Sequence, residues 1–429
     1  MARLKAAEAA LLCAALSLGG CSAGAARMVP SPIVASLLTH GRAASDSATA
    51  MPGDSATAMP GDAATAMPGD AATAMPGDAA TAMPGDAATA MPGASFACGS
   101  MSAPGTASCT LAINLNVAPL ANPQTPAAMI AGLHPSDLQS AYALPSGGAG
   151  GVVAVVDAFD APSAEADLAV YRAAFGLSPC TSANGCFRKV NERGSADTFP
   201  AADAGWAQEI ALDLEMVSAT CPSCSILLVE ADSGLIDDLG ASVDTAARLG
   251  ARAISNSYYS HEWSGESAED VHYRHPGIAI TASSGDRGFS SYPAASQYVT
   301  SVGGTSLRGG SGGWTQQAWA YSGHGCSPYV ARPAWQTAAS CGHGRSTVDV
   351  AAIADPQTGV SMYASLSGGW LVAGGTSVSA PIVAAAYALS GNPASPAYSY
   401  AHRSAFRPVG NGSYSLVTGL GTPIGTAGL

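Results

Sequence analysis

The sequence predicts an α/β fold in which a parallel β-sheet is flanked by helices on both faces. Three observations predict it. The run GVVAVVDAF (151–159) is almost continuously apolar, as expected of a strand buried inside a parallel sheet. Apolar runs of this kind alternate along the chain with segments of helical periodicity. Charged residues make up only 11% of the chain and 50 of its 429 residues are glycine, which is typical of a compact domain with many loops.

The predicted elements follow one another in strand–helix order. The strand at 151–159 precedes SAEADLAVYRAAFG (163–176), whose helical periodicity ends at a glycine. The next elements are a helix at 205–220, the strand SILLVEA, a helix near 234–249, and strands in ARAISNSYY, IAITASSG and YVTSVGG. Functional sites of parallel sheets gather at the carboxyl ends of the strands. We therefore expect Asp157, Asp286 and the loop after Tyr259 to lie at the functional edge.

The first residues predict export. Residues 1–21 combine early positive charge, a short apolar run and small residues, which is typical of a signal peptide. Leu18-Gly19-Gly20-Cys21 resembles the bacterial lipobox, so Cys21 is a candidate for acylation. The alternative is an ordinary cleaved signal with an incidental cysteine. No other segment approaches about 18 uninterrupted apolar residues, so we expect membrane attachment only through that lipid.

Three segments separate the signal from the α/β pattern. They are an N-terminal tail (22–45), an octapeptide repeat (46–93) and a short bridge (94–133). The repeat reads DSATAMPG twice and DAATAMPG four times. Each unit has a Pro-Gly breaker and only a methionine to bury, which predicts a disordered linker with a typical span of roughly 40 Å. The globular domain is expected from 134 to 429.

The cysteines favour an oxidising compartment. Apart from Cys13 and Cys21, an even number remains. The simplest pairing is local: Cys98 with Cys109, Cys180 with Cys186, Cys221 with Cys224, and Cys326 with Cys341. Cys221-Pro-Ser-Cys224 could instead be a redox motif or half of a zinc site. It follows a helix and has no second CxxC partner, which favours a structural disulfide.

The net charge of −13 argues against a nucleic-acid partner, because phosphate recognition needs clustered Lys and Arg.

A serine is the first candidate for chemistry. In GGTSVSAP (374–381), Ser377 stands after two glycines and before an apolar run that predicts a helix. A serine at a helix start has an exposed hydroxyl near unpaired backbone N–H groups, which can stabilise an oxyanion. A capping serine in a glycine-rich turn is the structural alternative. None of the eight histidines stands in a motif that would make it the base for this serine.

Two acidic residues could supply the base that no histidine offers. Glu209 and Asp213 lie four positions apart on a predicted helix, where like charges destabilise. They border an apolar stripe formed by Trp206, Ile210, Leu214 and Val217, which predicts a position at the edge of a cleft. Two carboxyls that close cannot both ionise comfortably, so one pKa should rise. Glu209 could then accept the Ser377 proton in acid, with Asp213 orienting it. An acidic outer helix face is the alternative.

A third acid follows the strand IAITASSG. Asp286, in ASSGDRG, could stabilise an oxyanion only when protonated, as a hydrogen-bond donor, which again requires low pH. A turn-forming Gly-Asp pair is the alternative.

Together these motifs closely resemble the sedolisin family, the serine-carboxyl peptidases of the subtilisin-like superfamily. The resemblance covers residues 134 to 429 and includes the Glu209/Asp213 helix, ISNSYY, SSGDRG, DVAAIADPQTG and GGTSVSAP. It implies a subtilisin-like fold, with Ser377 as nucleophile, Glu209 as general base, Asp213 as its partner and Asp286 in the oxyanion hole. The implied activity is endopeptidase cleavage of proteins or peptides in acid, through an acyl-enzyme.

The sequence departs from the family in two respects. The resemblance implies a calcium site within 401–423, but its Asp positions are filled by Arg407 or Pro408 and by Ser415. Since Ca²⁺ needs carboxylate charge, we expect the site to be lost or very weak, and we predict no cofactor or metal. The family also carries a long folded propeptide, which about 40 bridge residues cannot supply.

The leading interpretation is thus an exported, monomeric acid endopeptidase, tethered as a bacterial lipoprotein or otherwise secreted. The alternative is a catalytically inactive, surface-tethered binding protein on the same fold. A glycosidase that uses Glu209 and Asp213 as paired acids is weaker, because it leaves GGTSVSAP unexplained.

Overall fold

The computed structural model describes residues 91–99, 103–410 and 412–429. The signal peptide, Cys21, the tail and nearly all of the octapeptide repeat lie outside the described residues, so these predictions stay predictions. Of the last repeat unit, Met91 is described and is buried. Within the described residues, no helix is both long and apolar enough to cross a membrane.

The helices are α1 (Pro135–Ala141), α2 (Ala164–Ala174), α3 (Ala204–Thr220), α4 (Ile236–Arg248), α5 (Asp270–Tyr273), α6 (Thr376–Ser390) and α7 (Pro396–Ala401). The strands are β1 (Ala94–Phe96), β2 (Ser108–Cys109), β3 (Ala112–Asn114), β4 (Val152–Ala158), β5 (Phe187–Asn191), β6 (Ser225–Ala231), β7 (Ala253–Asn256), β8 (Tyr258–His261), β9 (Ala279–Ser283), β10 (Ser291–Tyr292), β11 (Thr300–Gly310), β12 (Gly313–Ala318), β13 (Cys326–Ala331), β14 (Gly344–Ser346), β15 (Val350–Ile353), β16 (Val360–Ala364), β17 (Gly369–Gly374), β18 (Phe406–Arg407) and β19 (Thr422–Pro423).

The central sheet has the strand order β12-β11-β9-β7-β4-β6-β5, and β15 also pairs with β11. All of its pairings are parallel except that between β11 and β12, so the predicted parallel α/β fold is confirmed, with an antiparallel edge in addition. The sheet is flanked by helices. The apolar helix α6 packs against β7, β9 and β15, while α3 and α4 both pack against β4.

The helices beside the functional edge begin where the local sequence dictates. Asp203 caps α3, because its carboxylate accepts hydrogen bonds from the backbone N–H groups of Gly205 and Trp206, both at 2.9 Å. At the start of α6, Gly375 has a φ of 97°, which a residue with a Cβ rarely adopts. Pro381 within α6 has no N–H, which leaves the carbonyl of Ser377 without its usual helical partner.

Residues 94–133, described from the sequence as a bridge, contribute three strands to the folded body. Strand β1 pairs with β3, β3 pairs with β17, and β2 pairs with β8. The domain boundaries themselves stay predictions.

All four predicted disulfides are present, which confirms the local pairing: Cys98–Cys109, Cys180–Cys186, Cys221–Cys224 and Cys326–Cys341. The Cys221–Cys224 bridge lies between α3 and β6, as expected of a structural disulfide.

Candidate active site

The four acid and serine residues singled out from the sequence lie together in the structure. Glu209 and Asp213 come from α3, Ser377 from the first turn of α6, and Asp286 from the loop after β9. The side chains are close enough to affect one another: burial and the charges of Asp213 and Asp286 raise the pKa of Glu209, whereas the neighbouring Ser377 hydroxyl lowers it. The four residues predicted from the sequence therefore lie close together in the fold.

The site is more enclosed than the sequence indicated. We expected Glu209 and Asp213 at the edge of a cleft, but both are 0% exposed, as is Ser377. Helix α3 is buried on nearly all sides because it packs against α6 and because residues of the 94–114 segment cover its start. The alternative of an acidic outer helix face is thus wrong.

Burial governs the titration of the acid pair. It raises the pKa of Glu209 well above its usual range, and the charge of Asp213 raises it further. Burial also raises the pKa of Asp213, and the neighbouring Ser257 hydroxyl and Glu209 partly oppose that rise. Among the described residues, the oxygens of neither carboxyl have a partner within ordinary hydrogen-bond geometry. The pair can therefore hold a proton that reacting groups could exchange.

Asp286 is held at the start of α6. One of its oxygens, Oδ1, accepts hydrogen bonds from the backbone N–H and the hydroxyl of Thr376, both at 2.8 Å. The other oxygen, Oδ2, is buried and, among the described residues, has no hydrogen-bond partner. Burial raises the pKa of Asp286 to about 7, although the hydrogen bonds from Thr376 oppose the rise. Below that pH, Oδ2 can carry a proton and donate it.

Sequence reasoning missed several residues that contact this site. Thr110 Oγ1 lies 2.5 Å from Ser377 Oγ, and the Ser257 hydroxyl donates to the Ser377 carbonyl at 3.5 Å. The Ser377 carbonyl is available to Ser257 because Pro381 has no N–H to donate to it within the helix. Thr110 lies in the bridge, where no local pattern marked it, whereas Ser257 stands in ISNSYY and could have been found from that motif.

Two further buried acids extend from the pair. Asp157, at the end of β4, is 0% exposed, and the charges of Asp213, Glu209 and Glu230 raise its pKa after burial itself. Its strand partner on β6 is Glu230, whose pKa burial raises to about 7. Glu230 forms an ion pair with Lys189 at 3.0 Å. In the sequence, the signal that pointed to both residues was an acid near the end of an apolar strand.

Histidines make their contacts elsewhere in the described residues. His134 hydrogen bonds to Ile130, His324 to Ser322, and both His272 and His275 to Asp244. His40 lies outside the described residues.

One surface group has the composition of a metal site. Ligand-type atoms of Asp237, Glu269 and His272 lie within 4.8 Å of one another. His272 also contacts Asp244 at 2.7 Å and Asp237 at 3.6 Å. Residues 401–423 contain neither Asp nor Glu, and the predicted loss of the calcium site stays a prediction.

The chain is similar to known proteins in sequence and in fold. No family model matches the chain. Kumamolisin from Bacillus sp. (strain MN-32) is 28% identical over 290 residues, which cover 58% of this chain and 50% of that protein. The chain thus spans about half the length of this curated relative.

The fold resembles that of Pseudomonas sedolisin, a serine-carboxyl proteinase solved in complex with two molecules of pseudo-iodotyrostatin. The TM-score is 0.59 at 22% identity, over 69% of this chain and 96% of that chain. The chain is thus similar to kumamolisin in sequence and to sedolisin in fold.

Proposed function

We propose that this protein is a serine-type endopeptidase that cleaves proteins or peptides at acidic pH. Ser377 acts as the nucleophile, Glu209 as the general base, Asp213 as the partner of Glu209, and Asp286 as a donor to the oxyanion. The observation that carries the proposal is the convergence of one serine and three carboxyls, from α3, α6 and the β9 loop, at a single buried point.

The reaction begins with Ser377. Its Oγ attacks the carbonyl carbon of the scissile peptide while Glu209 takes the hydroxyl proton. The charge of Asp213 raises the pKa of Glu209, so the pair loses its two protons in separate steps. In the singly protonated pair, Asp213 holds the remaining proton and Glu209 accepts the proton of Ser377. Glu209 then protonates the leaving amine, and water hydrolyses the ester that remains on Ser377.

Asp286 stabilises the intermediate. The former carbonyl oxygen becomes negative, and a protonated Oδ2 of Asp286 donates a hydrogen bond to it in a site from which water is excluded. A pKa of about 7 keeps this carboxyl neutral throughout the acid range and removes the proton above it. The proposal therefore requires activity to fall as the pH rises through about 7.

Two substitutions test the assignment. We expect Ser377→Ala and Glu209→Gln each to lower kcat/KM on an unfolded protein substrate at about pH 4 by roughly 10³-fold or more. Asp237→Asn is a matched control, because the Asp237 side chain is 81% exposed and pairs with His272. Circular dichroism would verify that each variant is folded. Full activity in either site variant would refute the proposal.

A binding protein on the same fold is the second candidate, and the complete burial of Ser377 favours it. A fluorophosphonate probe at acid pH separates the two functions. Covalent labelling of the intact chain at Ser377, absent from Ser377→Ala, supports the peptidase, whereas an unlabelled serine in a folded, acid-treated chain supports the binding protein.

Export and lipid anchoring complete the proposal. Four disulfides are consistent with an extracytoplasmic location. Attachment through a lipid on Cys21 predicts that Cys21→Ala moves the protein from the membrane fraction to the soluble fraction. We further propose that the protein acts as a monomer without a cofactor.

A further inference from the structure

One arginine stands beside the proposed oxyanion donor. Arg287 follows Asp286 directly in the loop after β9 and is half-buried. Its Nε donates a hydrogen bond to the hydroxyl of Tyr259, on β8, at 3.0 Å. The face of the guanidinium lies over the ring of Phe96, on β1, with Cζ 5.1 Å from the ring centroid. Contacts with two strands therefore hold this cation in one orientation.

The guanidinium is close to the proposed oxyanion donor in space as well as in sequence. Burial raises the pKa of Tyr259 to about 12, while the charge of Arg287 lowers it and that of Asp286 raises it. The charge of Arg287 also lowers the pKa of Asp286, although burial outweighs it. The three side chains are thus close enough to affect one another.

The strand on the other side of the guanidinium leads to the proposed nucleophile. Ala97, the residue after Phe96, donates its N–H to the Leu111 carbonyl at 3.0 Å. The hydroxyl of the residue before Leu111, Thr110, is 2.5 Å from that of Ser377. The cation therefore lies between β8 and a part of the chain that contacts Ser377.

Most of the hydrogen-bond donors of Arg287 are unused. A guanidinium has five N–H groups, and within the described residues only the one on Nε donates a hydrogen bond. The buried Arg345, in contrast, donates from Nε and both Nη atoms and pairs with Asp349 at 2.7 Å. No ion pair in the described part of the chain includes Arg287, although the sequence has 30 acidic residues and only 17 Lys and Arg. An Nη fork without an acidic partner can bind a carboxylate that a ligand supplies.

The neighbouring acid does not neutralise this cation at low pH. Burial raises the pKa of Asp286 to about 7, so its carboxyl is neutral at the acid pH at which we propose that the peptidase works. Tyr259 is neutral there too, because its pKa is raised as well. The charge of Arg287 is therefore available to a substrate in acid.

Two histidines also lie beside this loop. The His261 ring stacks on Phe289, with the centroids 4.9 Å apart. His324 Cε1 is 4.0 Å from the place that a Cβ would take at Gly288. Histidine side chains carry positive charge in acid, so these two add to the charge of Arg287 rather than cancel it.

We propose that the Arg287 guanidinium binds an ionised aspartate or glutamate side chain of the peptide substrate, so that the site selects peptides with an acid close to the bond that is cut. This inference rests on the proposed peptidase function. The carboxylate would accept two parallel hydrogen bonds from the Nη fork, which a neutral amide side chain cannot do with both of its groups.

The preference depends on the ionisation of the substrate. A glutamate side chain in a peptide has a pKa of about 4.3. At about pH 3 nearly all of it is neutral and resembles glutamine, whereas at about pH 5.5 most of it is ionised. Asp286 stays neutral over this range, because its pKa is about 7. A glutamate preference that develops between these two pH values is therefore the signature of binding to a cation.

The experiment compares matched peptides that differ at one residue, glutamate or glutamine, placed in turn at each of the positions on either side of one scissile bond. The readout is the ratio of kcat/KM for the glutamate peptide to kcat/KM for the glutamine peptide, measured with the full-length protein. At the position that faces Arg287, we expect a ratio close to one at about pH 3 and of roughly tenfold at about pH 5.5. A ratio near one at every position and at both pH values overturns the inference.

Three variants assign the preference to Arg287. Arg287→Gln should reduce the ratio at about pH 5.5 to near one, and Arg287→Lys, which keeps the charge but loses the fork, should keep part of it. Arg308→Gln removes the same charge from an exposed position and should keep the wild-type ratio. A general loss of activity cancels in the ratio, because the same variant cleaves both peptides. A full ratio in Arg287→Gln also overturns the inference.

Failure of this inference differs from failure of the proposed function. A wild-type protein that cleaves both peptides equally at each pH refutes the acidic preference and leaves the peptidase standing. A wild-type protein that cleaves neither peptide and does not digest casein refutes both. These wild-type measurements decide the inference even if a variant does not fold.

Discussion

Asp286 is the residue at which the proposed mechanism depends most directly on pH. Its pKa is raised to about 7 by burial, so it is neutral in acid and ionises above that pH. An asparagine side chain in its place would be neutral at every pH, would still accept the hydrogen bonds from Thr376 through its amide oxygen, and could donate through its amide nitrogen.

For Asp286→Asn we therefore expect activity within about tenfold of wild type at pH 4, and a smaller loss of activity as the pH rises through 7. For Asp286→Ala we expect a loss of roughly 10²–10³ in kcat at pH 4, because the donor is removed. The measurement is the pH dependence of kcat on a peptide substrate. If kcat of the Asp286→Asn variant falls with pH as it does in the wild type, a group other than Asp286 controls the loss of activity near neutral pH.

Gly375 leaves no room for a side chain on the face where Thr110 lies. Its φ is 97°, and an added Cβ would be 1.7 Å from the Thr110 carbonyl oxygen. Gly250 has a φ of 88° but open space where a Cβ would lie, so Gly250→Ala measures the cost of the positive φ without a steric clash.

We expect Gly375→Ala to lower kcat/KM by about 100-fold or more, because the Cβ would collide with the Thr110 carbonyl oxygen and with Asp286 Oδ2 and so displace the start of α6, which carries Ser377. Gly250→Ala should keep wild-type kinetics and lose only about 1 kcal/mol of unfolding free energy, from the positive φ. Equal kinetics in the two alanine variants would contradict a role of Gly375 in positioning the candidate site.

The sequence predicted the chemistry of the residues better than their surroundings. Ser377, Glu209, Asp213 and Asp286 could be named because each stands in a short, unusual motif. The burial of Ser377 could not be predicted, because Thr110, which contacts its hydroxyl, is 267 positions away in the chain. Such a contact leaves no periodicity in the local sequence.

At the scale of the elements, helix α3 determines where the acid pair lies. Its first turn depends on Asp203, whose carboxylate accepts two backbone hydrogen bonds. Removing this cap in Asp203→Ala should lower the free energy of unfolding by about 1 kcal/mol. Denaturant titration measures the loss, and Asp203→Asn, which keeps the accepting oxygen, should recover most of it. An unchanged midpoint in the alanine variant would mean that packing alone fixes the helix start.

The elements of the α/β pattern were predictable because their signals are local. The strand expected at 151–159 forms as Val152–Ala158, and the helix expected at 205–220 forms as Ala204–Thr220. The short strands β1, β2 and β3 were not predicted. They have two or three residues each, which is too few to show an alternation, and their partners lie far along the chain.

At the scale of the whole molecule, buried acids with raised pKa values make folding depend on pH. Burial raises the pKa of Asp286 and Glu230 to about 7 and that of Glu266 to about 9, and it raises the pKa of Asp157 and Glu215 as well. In the unfolded chain these acids ionise near pH 4. The folded state therefore binds more protons than the unfolded state between about pH 4 and pH 7 to 9.

By linkage, the stability contributed by these groups is fully present below about pH 4 and is lost as the pH rises through their folded pKa values. We expect the free energy of unfolding to decrease steadily between pH 4 and pH 8, measured by denaturant titration of the Ser377→Ala chain. Glu266→Gln should make this decrease shallower, and Asp237→Asn, at an exposed acid, should not. A stability that rises over this range would contradict the linkage.

The positions of the disulfides bear on how the chain would respond to reduction. Each of the four bridges described joins cysteines that are 3 to 15 residues apart in the sequence. Bridges that close short loops constrain the unfolded chain less than bridges that close long ones. A reductant would therefore release four separate short loops and would break no covalent link between distant strands.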